Sequence, residues 1–564
     1  MSFNTLFKDL KSEKVQSIIS KGWFVFGSLW LITFLLYLPA VEAGRVGDYT
    51  EWFEKLKILS FWKFINWNIA EMAELYQFTQ LVTYILYKLF GAGPWVWYII
   101  HITLNAANCY LFYTICTRLF EDTGLKNVKE IAFFGVLLLC VSPQLNETIV
   151  YKPSFHFLLG LTMLLSIVLL AQQYLNTGKE RYAWYSGVIY LLSIFSLELF
   201  IVTPCVVVAM GMYYSIALGK KVQYRKMLYD ISMPHLMITI LYFVIIDFVF
   251  INRHPHNAVP FTMAAYAGKT WKYLYHLLFF GRYFSTAGKD FFYKLADKNS
   301  SILLFYILNS LLFVYIAIRI KKMQARGKLL SLFYVFCMIT MLLLSILWFP
   351  DQLLILSDRY AYILIFFLFM LISLLVSAIP RQLVRIGIIS GYVLLNIIFT
   401  VKVVSIWSES AKLQFSLLKQ FPDPGNKTVL MLSLPQCLQG AIIMPSKSES
   451  EFKYMYNTWN KNKLTNQVYD VASYNLLAAN NGTRVVVFSD STIQVLLNQW
   501  GSWWWYDNQG ARYVETKDYK IDMEDVGQKY NLTLKRPYKD FLLVFENKGE
   551  WRVVDMEKKN IEQY

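Results

Sequence analysis

The groups able to do chemistry are few, and each stands beside a long apolar run. Asp48 lies in Gly-Arg-Val-Gly-Asp-Tyr-Thr-Glu-Trp (residues 44–52), just past the first such run, with Glu51 close behind. A carboxylate at the mouth of a membrane cavity can take a proton from an attacking hydroxyl. Asp48 also precedes Tyr49-Thr50-Glu51 and an amphipathic stretch through Trp67, a pattern in which an aspartate caps a helix. The two roles are compatible. Farther on, Asp358-Arg359-Tyr360 opens another apolar run. The Arg359 guanidinium suits a lipid phosphate, because its fork of N–H donors matches phosphate oxygens; an interfacial Asp–Arg pair at a helix end is the plainer alternative. Lys152 and His156, in Tyr-Lys-Pro-Ser-Phe-His, begin a further run. A lysine there can simply snorkel, whereas a histidine one turn deeper is less ordinary. Glu198, in Ser-Leu-Glu, has apolar sequence on both sides and no adjacent basic partner. It is either part of a turn between two spans or a carboxylate facing a cavity. An ionisable group at the bilayer centre costs about 2.5–3.5 kcal/mol, so each of these residues needs a reason to be there.

Other constellations are weak. His254 and His256 flank Pro255 beside Arg253, but no third ligand stands at useful spacing, and loop histidines are the simpler account. There is no Walker A sequence, no GxGxxG after a strand, no HExxH and no GxSxG. Gly268-Lys269-Thr270 lacks the glycine-rich lead of a phosphate loop.

Membrane spans are the elements that position these groups. Of 564 residues, 56% are hydrophobic, 17% aromatic and only 16% charged, with a mean hydropathy of +0.39. A soluble domain of this size carries about 25% charged residues. Runs long enough to cross about 30 Å of hydrocarbon are Gly22–Val41, Trp95–Cys116, Val128–Pro143, Phe155–Leu175, Tyr182–Phe195 and Phe200–Leu218. They continue as Ile231–Ile251, Ile302–Ile318, Leu329–Trp348, Ala361–Ile379 and Ile386–Val404, which makes about eleven in all. Tyr182–Leu218 is one unbroken stretch, too long for a single span, and is divided in two. Gln80–Phe90 and Trp271–Phe284 are apolar but interrupted, and are expected to lie at the interface or pack into a cavity. After about Val404 the chain turns polar. The expected organisation is therefore a polytopic α-helical membrane domain, residues 1–407, followed by a soluble α/β domain, residues 408–564.

Charge assigns the sides. Lys8, Lys11, Lys14, Lys21, Arg118, Lys126, Lys129, Lys179 and Arg181 fall on alternate connections. So do Lys220, Lys221, Arg225, Lys226, Arg319, Lys321, Lys322, Arg326, Lys328, Arg381 and Arg385. Short basic loops are cytoplasmic. The N-terminus is then cytoplasmic and an odd number of spans places the tail outside. The net charge of +16 belongs to these loops rather than to nucleic-acid binding. Gly22–Val41 lacks a small-residue cleavage site and reads as an anchor. Asp48, Glu51, Glu147, Glu198 and Asp358 all fall on the outer side. Five of the six cysteines lie in apolar runs and only Cys437 in the tail, so no disulfide framework is expected there.

With these motifs in order, the chain resembles the GT-C-fold membrane glycosyltransferases. It is most similar to the O-mannosyltransferases with transmembrane and tetratricopeptide segments and to their bacterial relatives. The resemblance covers roughly residues 40 to 375. It rests on Gly47-Asp48-Tyr49 after the first span, then on Gln80 to Arg118 with Leu89-Phe90-Gly91, Pro94, His101, Asn105 and Asn108. Ser196-Leu197-Glu198 stands where the family has Ser-Lys-Glu, Tyr273–Phe284 looks like its outer amphipathic helix, and Asp358-Arg359-Tyr360-Ala361-Tyr362 matches its Glu-Arg-Tyr-Leu-Tyr. The chain departs from the family at Gly47, where a second acid is common, and at Leu197, where the family has lysine. At residues 154–156 a usual Arg-Asp pair is replaced. No tetratricopeptide repeat follows.

The resemblance implies inverting transfer of a sugar from a polyprenyl-phosphate-linked donor to an acceptor hydroxyl at the outer face of the membrane. Asp48 would be the base. Arg359, with Lys152 and His156, would neutralise the departing phosphate, and Glu198 and Glu51 would line the acceptor side. No nucleotide is implied and a metal is optional. The partners implied are the lipid-linked donor, a glycan, lipid or protein acceptor, and the bilayer. The bacterial relatives point to an inner membrane with the tail in the periplasm. A transporter or flippase for a glycolipid is the alternative, although no repeated halves are visible and the long outer connections (Glu42–Pro94 and Asn252–Ser301) suit rocking halves badly. In the tail, Thr428–Leu434 and Arg484–Ser489 read as strands, and Asp540–Phe545 with Glu550–Asp555 as a hairpin around Asn547-Lys548-Gly549. Trp500–Tyr506 could stack on sugar rings or pack at the membrane interface.

Overall fold

The computed structural model describes residues 22–45, 47–67, 69, 75–250, 262–280, 286–346, 358–444, 450–476, 478, 480, 482–497, 513–525 and 529–564. The aromatic cluster Trp500–Tyr506 and the histidines His254 and His256 lie outside the described residues. The chain forms two compact units: Met1–Leu38, Leu59–Ile149 and Ser154–Val401 make one, and Pro39–Ile58, Val150–Pro153 and Lys402–Tyr564 the other.

Among the described residues nine helices are long and apolar enough to cross a membrane. They are Gly22–Ala40, Pro94–Thr123, Lys152–Thr177, Glu198–Ala217, Lys221–Ile246, Asn299–Arg319, Ala325–Leu342, Asp358–Ser377 and Gln382–Lys419. The chain is thus a multi-pass membrane protein. A tenth span results if Val128–Cys140 and Pro143–Val150, bent by 55°, are one broken helix. Eleven were expected, and the difference has a physical origin. The run Tyr182–Phe195 is helical over Glu180–Ile194, only 15 residues, and so rises about 22 Å. The bend at residues 141–142 comes before Pro143, which cannot continue a helix, and Ser142 caps the new turn by accepting from the Gln144 amide at 3.3 Å. The long stretch Tyr182–Leu218 does divide. Its break falls after Ile194, and the chain resumes as a 3-10 turn over Glu198–Val202 and a helix over Thr203–Ala217 with Pro204 in its first turn.

The first unit is built around the helix Tyr362–Ser377, in which every residue from Tyr362 to Met370 is buried. Phe112 packs its ring against Phe333, Phe366 and Phe367 at centroid distances of 6.3, 5.4 and 5.8 Å. Aromatic edges meeting faces supply the close packing that apolar lipid does not drive by itself. Asn299–Arg319, by contrast, turns nearly all its side chains outward, as a helix solvated by lipid does. The first interrupted apolar segment lies in the helix Gln77–Phe90; of the second, residues 271–278 lie in the helix Met263–Leu278 and residues 281–284 outside the described residues.

The second unit carries strands β1 (Thr428–Leu438), β2 (Ala441–Ile442), β3 (Val468–Asp470), β4 (Ser473–Leu476), β5 (Arg484–Val487) and β6 (Thr492–Leu496). They are followed by β7 (Tyr513–Glu515), β8 (Tyr519–Asp525), β9 (Lys529–Leu534), β10 (Phe541–Asn547), β11 (Glu550–Val553) and β12 (Glu562–Gln563). One sheet runs β11-β10-β1-β2, with β3 and β4 also on β1; the other runs β12-β5-β6-β9-β8-β7. β1 pairs in parallel with β3, β4 and β10, and nearly every residue of β1 and all of β10 are buried because parallel strands are covered on both faces. β6 and β9 instead alternate buried and half-buried residues, the mark of an antiparallel sheet with one covered face. The expected hairpin is present: β10 and β11 pair from Val544↔Val553 to Asn547↔Glu550. Lys548 and Gly549 both have positive φ, 53° and 82°, as a two-residue turn between twisted strands requires.

The C-terminal part of the helix Gln382–Lys419 belongs to this unit. Ser410 Oγ donates to Ile442 O at 2.8 Å, and Trp551 Nε1 donates to Leu417 O at 2.8 Å. The early helix Gly47–Ile58 packs beside the helix Glu451–Trp459 in the same unit. The Arg45 guanidinium lies 5.3 Å from the Trp459 ring and 5.7 Å from that of Phe415.

Candidate functional site

The structure gathers one group of the anticipated residues within the first unit. The turn Asn146–Val150, begun by the Pro143 bend, carries Glu147; the 3-10 turn Asp358–Ala361 carries Arg359 at the start of a span. Arg359 Nη1 lies 3.2 Å from Glu147 Oε1, and the Arg359 backbone N–H donates to Oε2 of the same carboxylate at 3.2 Å. Glu147 is 7% exposed at its side chain and Arg359 23%, so the acid is enclosed while the guanidinium keeps an open side.

From Arg359 the contacts run on. Its guanidinium lies 5.2 Å from the ring of Tyr360, and Tyr360 meets Phe157 edge to face at 5.8 Å. Phe157 abuts His156, whose ring stacks on Tyr76 at 5.5 Å and 19°. Tyr76 OH donates to Glu198 Oε1 at 3.4 Å. Tyr360 is also within electrostatic reach of Glu147 and Glu198. Arg359, His156 and Glu198, distant in sequence, therefore border one continuous aromatic and polar cluster. The segment around Glu198 is held there by main chain: the Phe78 amide donates to Phe195 O at 3.0 Å and Thr79 Oγ1 to Ser196 O at 3.1 Å.

Deeper among the helices, buried Asn105 and Asn108 meet the hydroxyl of Tyr362. Tyr362 OH donates to Asn105 Oδ1 at 3.1 Å, and Asn108 Nδ2 donates to Tyr362 OH at 3.3 Å. His101 Nδ1 stands 3.1 Å from Thr148 O, one residue beyond Glu147. Asn105, Asn108 and His101 thus tie the helix Pro94–Thr123 to the segments that carry Arg359 and Glu147. Buried amides and imidazoles are stable in such a place only when hydrogen-bonded.

The remaining anticipated residues belong to the second unit. Asp48 stands within the helix Gly47–Ile58, not before it, and Glu51 follows in the same helix; the side chains of both lie outside the described residues. Tyr49 beside Asp48 is buried, and burial pushes its hydroxyl far above the ordinary range, so it is no proton acceptor near neutral pH. Lys152 is buried at 2% exposure in the 3-10 turn Lys152–Ser154 and lies within electrostatic reach of Glu42 and Arg45, themselves an ion pair at 2.5 Å. Gly44 makes this loop possible. Its φ is +78°, and a Cβ there would come within 2.4 Å of Val150 O. Among the described residues no group of three or more His, Cys, Asp or Glu side chains could hold a metal ion.

Sequence reading left Glu147 without a role, and gave none to Tyr76, Asn146 or His276. His276 Nε2 lies 2.7 Å from Asp358 Oδ1, and Asn146 Nδ2 donates to Asp358 Oδ2 at 2.6 Å. The one available signal is a histidine inside the outer amphipathic helix, and nothing in the sequence names its partner 82 residues away.

No protein-family model matches the chain, and no curated protein matches it in sequence. Among solved structures it is similar to the Archaeoglobus fulgidus oligosaccharyltransferase solved with Zn and sulfate, at 12% identity and a TM-score of 0.34, over 77% of this chain and 61% of that one. It is also similar to the archaeal oligosaccharyltransferase AglB from Archaeoglobus fulgidus solved with an inhibitory peptide and a dolichol-phosphate, at 11% identity and a TM-score of 0.33, over 78% of this chain and 63% of that one. The chain spans less than two thirds of the length of either.

Proposed function

We propose that the chain is a GT-C-class membrane glycosyltransferase that moves a sugar from a polyprenyl-phosphate-linked donor to an acceptor hydroxyl, with inversion, outside the cytoplasm. The observation that carries this reading is the Arg359–Glu147 pair at the head of the span Asp358–Ser377, joined through Tyr360, Phe157, His156 and Tyr76 to Glu198. Of the segments that carry the family resemblance, Ser196–Glu198 and Asp358–Tyr362 supply residues of this cluster, Gln80 to Arg118 is bonded to Tyr362, and Gly47–Tyr49 belongs to the other unit.

In this reading the acceptor oxygen loses its proton to the Asp48 carboxylate and bonds to the anomeric carbon. The bond from that carbon to the phosphate oxygen breaks, and its electron pair leaves with the lipid phosphate. Arg359 stabilises the charge that appears there. A guanidinium has five N–H donors and can serve a carboxylate and a phosphate together. Glu147, held to both the backbone and the side chain of Arg359, keeps the guanidinium aimed before the donor arrives, so less reorganisation accompanies bond breaking. The role of Asp48 rests on its setting in the sequence, that of Arg359 on the cluster.

The test is transfer by purified protein in nanodiscs, with a polyprenyl-phosphate sugar as donor and release of polyprenyl phosphate as the readout. Arg359→Ala is expected to lower the rate by at least about a hundredfold, as loss of a charge-stabilising donor does. The anomeric configuration of the product reports inversion. Transbilayer movement of the intact glycolipid with no polyprenyl phosphate released would overturn the reading in favour of a flippase.

A further inference from the structure

The helix Met263–Leu278 is fastened at its C-terminal end to the turn Asp358–Ala361, which carries Arg359, and to the turn Pro143–Leu145, just before Glu147. His276 and Asp358 are both nearly enclosed, with side chains 2% and 1% exposed, and meet at 2.7 Å. The second Asp358 oxygen accepts from Asn146 Nδ2 at 2.6 Å, so the carboxylate is gripped from two elements. Beside it, Gln144 Nε2 donates to Leu277 O at 3.1 Å. The same helix is held at another point by Lys272, whose Nζ lies 2.8 Å from Asp297 Oδ2. The residue after Asp358 is Arg359, and the residue after Asn146 is Glu147. The clamp on Asp358 and the pair Arg359–Glu147 are thus two rungs between the same two turns.

A buried carboxylate keeps its place only while donors hold it, because turning toward an apolar wall leaves its charge unsolvated. Loss of the imidazole removes one of the contacts that hold Asp358. The 3-10 turn Asp358–Ala361 is then held less firmly, and the pairing with Glu147 has to keep the aim of Arg359 without the imidazole's support.

We propose that His276 is a positioning residue: through Asp358 it fixes the turn Asp358–Ala361 and so the direction in which the Arg359 guanidinium is presented to a lipid phosphate. This rests on the reading of Arg359 as the phosphate-binding group. The outer helix is then part of the phosphate site without touching the phosphate.

The experiment measures binding of polyprenyl phosphate to the full chain in nanodiscs, with a melting curve for each variant. Arg359→Ala is expected to weaken binding. His276→Leu is expected to weaken it by about tenfold, the value of a hydrogen bond to a charged group. His276→Gln, whose side-chain amide can still donate to Asp358, is expected to restore most of it. The double variant His276→Leu/Arg359→Ala should bind no more weakly than Arg359→Ala alone, which a merely structural role for His276 would not produce. If His276→Leu does not fold, Asp358→Asn takes its place with the same expectation. Additive losses in the double variant, or native binding by the His276 variant while Arg359→Ala binds weakly, would overturn the positioning role and leave the phosphate reading standing. Native binding by Arg359→Ala would remove both.

Discussion

Glu147 receives Arg359 twice, 212 residues away in sequence: its Oε1 lies 3.2 Å from the guanidinium and its Oε2 accepts the Arg359 backbone N–H at 3.2 Å. One carboxylate therefore fixes both the position of the turn and the aim of its side chain. Glu147→Ala should remove both of these contacts from a mostly enclosed place. The expected loss of stability is about 2–3 kcal/mol, below the value for a fully buried pair because Arg359 keeps an open side. Glu147→Gln, which retains an acceptor for the backbone N–H, should lose less. Thermal melting of both variants in one detergent checks the order; equal melting points for Glu147→Ala and the native chain would contradict it.

Arg359→Lys is a separate probe of the same place. Lysine keeps the charge but not the planar fork, so phosphate recognition should fall partly while folding is spared. An intermediate transfer rate, between those of the native chain and Arg359→Ala, is the expected result. A rate equal to native would mean that charge alone suffices.

In the sheet unit, burial pushes the Glu546 carboxyl up to about 8, opposed by the bond from the Gly549 N–H to Oε1 at 2.6 Å. The sign follows from linkage. The folded chain holds this proton to higher pH than the unfolded chain does, so the associated stability is complete below the ordinary carboxylate range. It declines as pH rises toward about 8 and is flat beyond. Pulse proteolysis of the C-terminal segment in a urea series should therefore give a higher midpoint at pH 5 than at pH 8. Glu546→Gln should abolish most of that difference. A midpoint that rises with pH in the native chain and not in the variant would reverse the assignment.

Much of the fold was legible because its signal is one-dimensional. Apolar runs mark spans without reference to partners, and the division of Tyr182–Leu218 and the Lys548-Gly549 turn are both written in local residues. What was not legible depends on distant partners. Nothing in the run Val128–Pro143 reveals that its continuation past Pro143 turns through 55° to set Glu147 opposite Arg359. The grouping of Pro39–Ile58 with Lys402–Tyr564 is equally hidden, because the helix Gly47–Ile58 has an ordinary amphipathic pattern and its neighbour, Glu451–Trp459, lies some four hundred residues on. Arg359, His156 and Glu198 could each be singled out as polar groups at span ends. Tyr76 and Phe157, which join them, look like common aromatics until their rings are seen to stack.

Sidedness admits a direct check. If short basic loops are cytoplasmic, the connection around Lys321 and Lys322 and the C-terminal sheet unit lie on opposite sides of the membrane. A phosphatase active only outside the cytoplasm, fused after Tyr564, should be active, and a reporter active only in the cytoplasm, fused after Lys322, should be active too. Exchanged activities would place the sheet unit in the cytoplasm and remove the proposed extracytoplasmic chemistry.

Asp48→Asn separates the two roles that the sequence allows this residue. Asn is nearly the same size as Asp and serves helix ends about as well, so a purely structural part in the helix Gly47–Ile58 predicts little change in either activity or melting. A general base predicts otherwise. The amide cannot take the acceptor proton, and transfer should fall by at least about a hundredfold while the melting curve is unchanged. Binding of polyprenyl phosphate should also be unchanged, because that binding is assigned to Arg359. The neighbouring Tyr49 cannot substitute, since its buried hydroxyl keeps its proton at neutral pH. Transfer at the native rate by Asp48→Asn would confine Asp48 to its helix and make Glu51 and Glu198 the next carboxylates to replace, each by Gln and each read by the same release of polyprenyl phosphate.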